Sequence, residues 1–205
     1  MHRKKILYKF RVNTFIFHFP FFIFVLSVIG CSSLQLDLAA LPENAGPDFH
    51  IINGVTLPQS DTSGDCAAEA LSAMYSFLGK PSSPGEIRNG FIRKSGKGTP
   101  SIELLLSARR AGFDARQEAG AIESLNAHIN AGRPVIVMLE INTLAADKMP
   151  AIAGEDVFHF FVISGYSEKY RCAVIEWHDG RKTIGYDIMM KAWQKAGFFL
   201  LVCGV

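Results

Sequence analysis

The chain has 205 residues, enough for one domain with a full core. Of its 21 basic and 19 acidic residues, five basic and no acidic ones precede Cys31, so the remainder carries 16 against 19 and offers no basic surface for nucleic acid. The four cysteines form no Cys-x-x-Cys pair and no His/Cys cluster, which excludes a zinc site of the usual spacing; no metal or cofactor is expected.

Arg3, Lys4, Lys5, Lys9 and Arg11 precede an apolar, Phe-rich run from Phe15 to Ile29. A basic start followed by a short apolar stretch is the layout of a secretory signal, and the run is short for a full membrane span. It ends in Val28-Ile29-Gly30-Cys31, which resembles the bacterial lipobox, in which the cysteine becomes the lipidated first residue of the mature chain. Ser32 in place of Asp resembles lipoproteins sent to an outer membrane. Residues 1–30 are therefore expected to be a lipoprotein signal, with Cys31 the lipidation site. The protein is expected in the cell envelope, on the periplasmic side of the outer membrane. Residues 31–48, rich in small residues with Pro42, Gly46 and Pro47, are expected to be a tether, and residues 49–205 the folded domain.

His50 to Leu57 is a short extended entry, and Ser60 to Gly64 is a polar loop. Ala67, Ala70, Leu71, Met74 and Leu78 recur at helical spacing over 66–79, with Asp65 as N-cap, Gly79 as stop and Pro81 beyond. Lys80 to Gly98 is a Pro- and Gly-rich stretch with a short helix near Ile87. Thr99-Pro100 opens a second clear helix that Gly112 ends, and Phe113 to Arg116 is an extended link. Ala121 to Ala131 is a helix closed by Gly132. Arg133 to Ile141 is an apolar central strand, and Asn142 to Glu155 a loop that overhangs a cleft. Strands follow at 156–166, 171–177 and 181–186, then a helix over 188–196 and a last strand over 198–203. Helices first and an antiparallel sheet second make an α+β pattern. Cys172 and Cys203 lie in late strands, either as buried thiols, the preferred reading, or as a disulfide in an oxidising compartment.

Cys66 falls in the first turn of its helix, where unpaired N–H groups and the positive end of the dipole converge. That setting lowers a thiol's pKa and frees the thiolate, although Asp65 and Glu69 oppose the effect; the plainer reading is a small buried cysteine. A nucleophilic thiol needs a base. His2 and His18 lie in the leader, while His50 and His128 read as solvated and His178 as a turn residue. His159 sits inside Val157-Phe-His-Phe-Phe-Val-Ile163, where a polar residue has no packing reason to be. It is either the base or a core histidine satisfied by hydrogen bonds.

Several stretches then occur in order: Gly54-Val-Thr-Leu-Pro-Gln59, Asp65-Cys66 opening a helix, Gly98-Thr99 before a helix, Ala131-Gly-Arg-Pro-Val-Ile-Val137, and His159 in a strand ending Gly165-Tyr166. Together they resemble the papain-like cysteine peptidases of the bacteriocin-processing, double-glycine-leader family and their stand-alone relatives, over residues 49–205. The resemblance implies a papain-like fold with N-terminal helices packed on a C-terminal antiparallel sheet. It implies Cys66 as nucleophile, His159 as general base, and the Gln59 amide with the Cys66 N–H as oxyanion donors. It implies an orienting acid at the end of the following strand, assigned to Asp179, with Glu176 as the alternative because the family's usual His-to-Asp spacing falls nearer to it and the family's Asp-Pro pair is absent. The chain also departs from the family in having Cys66-Ala67-Ala68 where Cys-Gly-Pro is common, and in a longer loop between Gln59 and the cysteine.

The primary expectation is a membrane-tethered, thiol-dependent peptidase acting on a peptide or protein. The alternative is a catalytically retired relative that binds a peptide or secreted partner, and a third reading is acyl transfer to an amine. No Gly-rich phosphate loop with Lys is present, so no nucleotide is expected, and export cannot be carried over from transporter-fused relatives.

Overall fold

A computed structural model describes residues 36, 38–42, 45–58, 65–92, 98–145 and 157–205. The leader, Cys31, Gln59 and most of the expected cleft loop lie outside these residues.

One antiparallel sheet organises the chain. Its strands are β1 (Ala39–Ala40), β2 (His50–Ile51), β3 (Asp114–Ala119), β4 (Val135–Glu140), β5 (Phe158–Ser167), β6 (Cys172–Trp177), β7 (Gly180–Gly185) and β8 (Phe199–Gly204). They lie in the order β1-β7-β6-β5-β4-β8-β3, with β2 added against β5. The helices are α1 (Cys66–Phe77), α2 (Pro84–Asn89), α3 (Ser101–Arg110), α4 (Ile122–Asn130), the single turn α5 (Ile141–Leu144) and α6 (Tyr186–Lys195).

Side chains alternate across a strand, so each central strand serves two cores. Val135, Val137, Leu139, Phe161 and Ile163 face α4 and α6. Ile136, Phe160, Val162, Phe199 and Leu201 face α1, α2 and α3. The helices therefore cover both faces, rather than forming one N-terminal layer. The continuous apolar run at 135–139 is the sequence expression of that double burial.

Two elements correct the chain-order reading. Residues 114–119 are not a link but an edge strand, fully paired with β8 from Asp114↔Gly204 to Ala119↔Phe199. Its polar run Asp-Ala-Arg-Gln-Glu-Ala hides the strand because only Ala115 is buried. Part of the expected tether also joins the sheet: Ala39 pairs with Thr183 and Ala40 with Lys182, while Leu36 is buried in the α6-side core. The folded unit thus begins before Phe49.

Cys172 and Cys203 are free and buried. They lie on β6 and β8, with β5 and β4 between. Three strand spacings of about 4.8 Å separate them by roughly 14 Å, beyond the reach of a disulfide. Burial pushes the Cys203 thiol up to about 12, so it stays protonated.

Candidate active site

Cys66 is the first residue of α1. Asp65 caps that helix, its carboxylate accepting from the Ala68 N–H at 3.2 Å. The same carboxylate accepts from Thr99 Oγ1 at 3.4 Å and faces Arg88 at 3.7 Å. Thr99 thus spends its hydroxyl on α1 rather than capping its own helix, α3, which has no side-chain cap. Arg88 offsets some of the negative charge that Asp65 places beside the sulfur. Cys66 is half-buried and packs with Leu57 and Phe77 against the α1-side core. Gly79, at φ +80°, ends the helix where an L side chain would be strained.

His159 is the second residue of β5 and lies opposite Leu139 of β4. The neighbouring Phe160 and Val162 belong to the core under α1, whereas His159 alternates to the other face of the strand, with Leu139, Phe161 and Trp177. The imidazole stands 4.8 Å from the Phe161 ring and 6.0 Å from the Trp177 ring. Burial is the main cause that lowers its pKa to about 4, and the charge of His178 adds to it. At neutral pH the ring is therefore uncharged, the form that can accept a proton. No hydrogen bond to its ring nitrogens is found among the described residues.

The two carboxylates considered for orienting His159 are both on or beside β6. The pairing of β5 with β6 includes Ile163↔Ile175. Extended by two residues, that register sets Phe161 beside Trp177, and their rings stack at 5.8 Å. β6 ends at Trp177, which pairs with Gly180, so Asp179 lies in the turn beyond the paired residues. The Asp179 carboxylate is turned to Lys182 at 2.9 Å and is 68 % exposed. Glu176 is buried and bound to Arg181 at 2.8 Å, whose guanidinium also donates to the Ile52 carbonyl. Among the described residues both acids are paired with cations of their own hairpin and neither hydrogen-bonds to His159.

Two histidines differ from the sequence reading. His128 was expected to be solvated but is buried, with Nε2 3.0 Å from Glu118 on β3. His178 is more than a turn residue: its Nε2 lies 3.5 Å from Glu69 Oε2, on the first turn of α1. Strand alternation from Trp177 was the available signal, since it turns His178 to the face opposite the indole. Among the described residues no group of three or more His, Cys, Asp or Glu is arranged to hold a metal ion.

No curated protein sequence matches the chain. Solved structures do. A C39-like peptidase from Bacillus anthracis superposes with a TM-score of 0.60 at 17% identity, over 76% of this chain and 96% of that one. The peptidase domain of Streptococcus ComA, a bifunctional ABC transporter of a quorum-sensing pathway, gives 0.54 at 18% identity, over 72% and 96%. A double glycine motif protease from an AMS/PCAT transporter, solved with its leader peptide, gives 0.51 at 17%, over 73% and 91%. These likenesses show the papain-like fold of such peptidase domains. The profile of the Peptidase C39 family matches residues 55–203, which spans both α1 with its leading cysteine and the strand bearing His159, and on that match the chain belongs to the peptidase C39 family of cysteine peptidases.

Proposed function

We propose that this protein hydrolyses peptide bonds with Cys66 as nucleophile and His159 as general base. The observation that supports the reading is the first-turn position of Cys66 on α1, within the residues that the Peptidase C39 family matches. The neutral imidazole takes the Sγ proton, and the thiolate attacks the carbonyl carbon of the scissile bond. The Cys66 N–H and the Gln59 amide stabilise the resulting oxyanion. The imidazolium gives its proton to the leaving amine, and water then hydrolyses the thioester, which regenerates the thiol. Asp179, in the turn that follows the strand next to β5, is the orienting acid of this scheme; engaging the ring requires its carboxylate to leave Lys182.

The setting we propose is a lipid anchor at Cys31 on the periplasmic side of an outer membrane. Among the described residues no helix is long and apolar enough to cross a membrane. A labelled fatty acid should be incorporated into the parent protein and not into Cys31→Ala. A parent protein that takes up no label removes the anchor.

Hydrolysis of a mixed peptide library should vanish in Cys66→Ala and His159→Ala. In Gln59→Ala turnover should fall roughly ten- to a thousandfold, as for other oxyanion donors. Undiminished cleavage by Cys66→Ala rejects the mechanism.

A second reading, a retired peptidase fold that binds a peptide, draws on one observation: Glu176 and Asp179 are both engaged by cations of their own hairpin. Iodoacetamide separates the two. An activated thiolate is alkylated well below neutral pH, whereas an ordinary thiol follows a value near ~8.5.

A further inference from the structure

Glu69 and His178 have no part in the scheme above, yet they meet beside the proposed nucleophile. Glu69 is three residues beyond Cys66 on α1, and residues three apart are surface neighbours on a helix. Its side chain is only 9 % accessible, among Ala67, Ala68, Ala70 and Leu71, where a carboxylate has no packing reason to be. A buried carboxylate needs a cationic or hydrogen-bonding partner. One of its partners is His178, at 3.5 Å, which reaches in from the turn between β6 and β7 while staying 44 % accessible. The residue before it, Trp177, presents its indole to His159 and Phe161. The residue after it is Asp179. One short turn therefore carries the contact to the nucleophile helix, the aromatic wall behind the imidazole and the proposed orienting acid.

Resting on the assignment of Cys66 and His159 as nucleophile and base, we propose that Glu69 and His178 are positioning residues: their contact clamps the β6–β7 turn onto the first turn of α1. The clamp sets how Trp177 and Asp179 hold the His159 ring relative to the sulfur. It also has an electrical side. The charged and titratable groups around His178 are Glu69 from α1, His159 from β5, and the Asp179–Lys182 and Glu176–Arg181 pairs of its own hairpin; the Asp65–Arg88 pair lies at the start of α1. A charged His178 works against protonation of His159, so this part of its effect weakens the base, and the clamp acts through position rather than charge.

The test uses the full chain, Glu69→Gln and His178→Gln, with iodoacetamide as the probe of Cys66. Cys172 and Cys203 are buried and serve as slow internal references. Each variant should fold, by circular dichroism, and its Cys66 should be alkylated about tenfold more slowly near neutral pH, because a misplaced base loses part of its contribution. In His178→Gln the nuclear magnetic resonance titration midpoint of His159 should move upward. Folded variants with parental alkylation rates and a parental His159 midpoint overturn the clamp. Repeating the His159 titration in a Cys66→Ala background separates the two ideas. A midpoint shifted there by Glu69→Gln, which keeps His178, supports the clamp even where the parent thiol reacts as an ordinary cysteine, an outcome that would sink the peptidase assignment alone.

Discussion

His159 and His128 show how the same side chain takes opposite roles from its surroundings. The folded pKa of His159, about 4, lies below the ordinary value of 6.5, mainly through burial. Between those values the unfolded chain binds a proton that the folded chain refuses. The stability this residue contributes is complete above pH 6.5 and is lost as pH falls toward 4. Urea midpoints should accordingly drop between pH 7 and pH 4.5, and His159→Gln should flatten part of that drop. An equally steep fall in the variant would assign the acid sensitivity elsewhere. His128 is instead held by a carboxylate. Its hydrogen bond is the largest cause that keeps the Glu118 carboxyl below the usual range, helped by Arg116. Among the described residues His128 Nδ1 has no partner, so Glu118→Ala leaves the buried ring with neither nitrogen satisfied. A loss of about 1–3 kcal/mol is expected in chemical denaturation. The sequence misplaced His128 because its partner belongs to a strand whose polar composition conceals it.

At the scale of elements, α1 was the most legible part of the chain. Its apolar spacing, Asp cap and Gly stop are local signals, and the observed helix starts at Cys66 as expected. Asp65 does more than cap, because Thr99 and Arg88 converge on it from outside the helix. Asp65→Ala should cost about 0.5–2 kcal/mol in thermal or chemical unfolding, toward the upper end because those partners lose their contact too. A variant as stable as the parent would mean that the cap is replaced by solvent without loss. The strand β3 was missed for the opposite reason: with one side chain buried, its pattern has no apolar alternation to detect. Gly120, just after it, is also explained only by packing, since a Cβ there would lie 2.0 Å from the buried Trp193 ring.

For the whole molecule, the two cores share one sheet, and its outer edge is closed by the segment expected to be a free tether. β1 covers the open side of β7, Thr183 Oγ1 donates to the Ala39 carbonyl, and Leu36 adds to the core under α6. Removing residues through 41 uncovers a strand edge, a known template for association. The truncated protein should melt at a lower temperature and self-associate by light scattering, while cysteine reactivity at position 66 stays near the parental value. A monomeric truncation with unchanged melting would reduce β1 to a passive contact.

The sequence by itself determined what travels with local pattern: the apolar central strands, the helix that begins at Cys66, the histidine embedded in a strand, and the family to which the order of these pieces points. Helical and strand periodicities, caps and turn residues are written within a few neighbouring positions, so they survive without knowledge of the rest. Only the tertiary structure decided which polar groups meet. Glu69 with His178, Glu118 with His128, and the engagement of Glu176 and Asp179 by Arg181 and Lys182 depend on strand register and on which face of the sheet each helix covers. A side chain's partner across the fold is set by that long-range geometry, which a single sequence does not display.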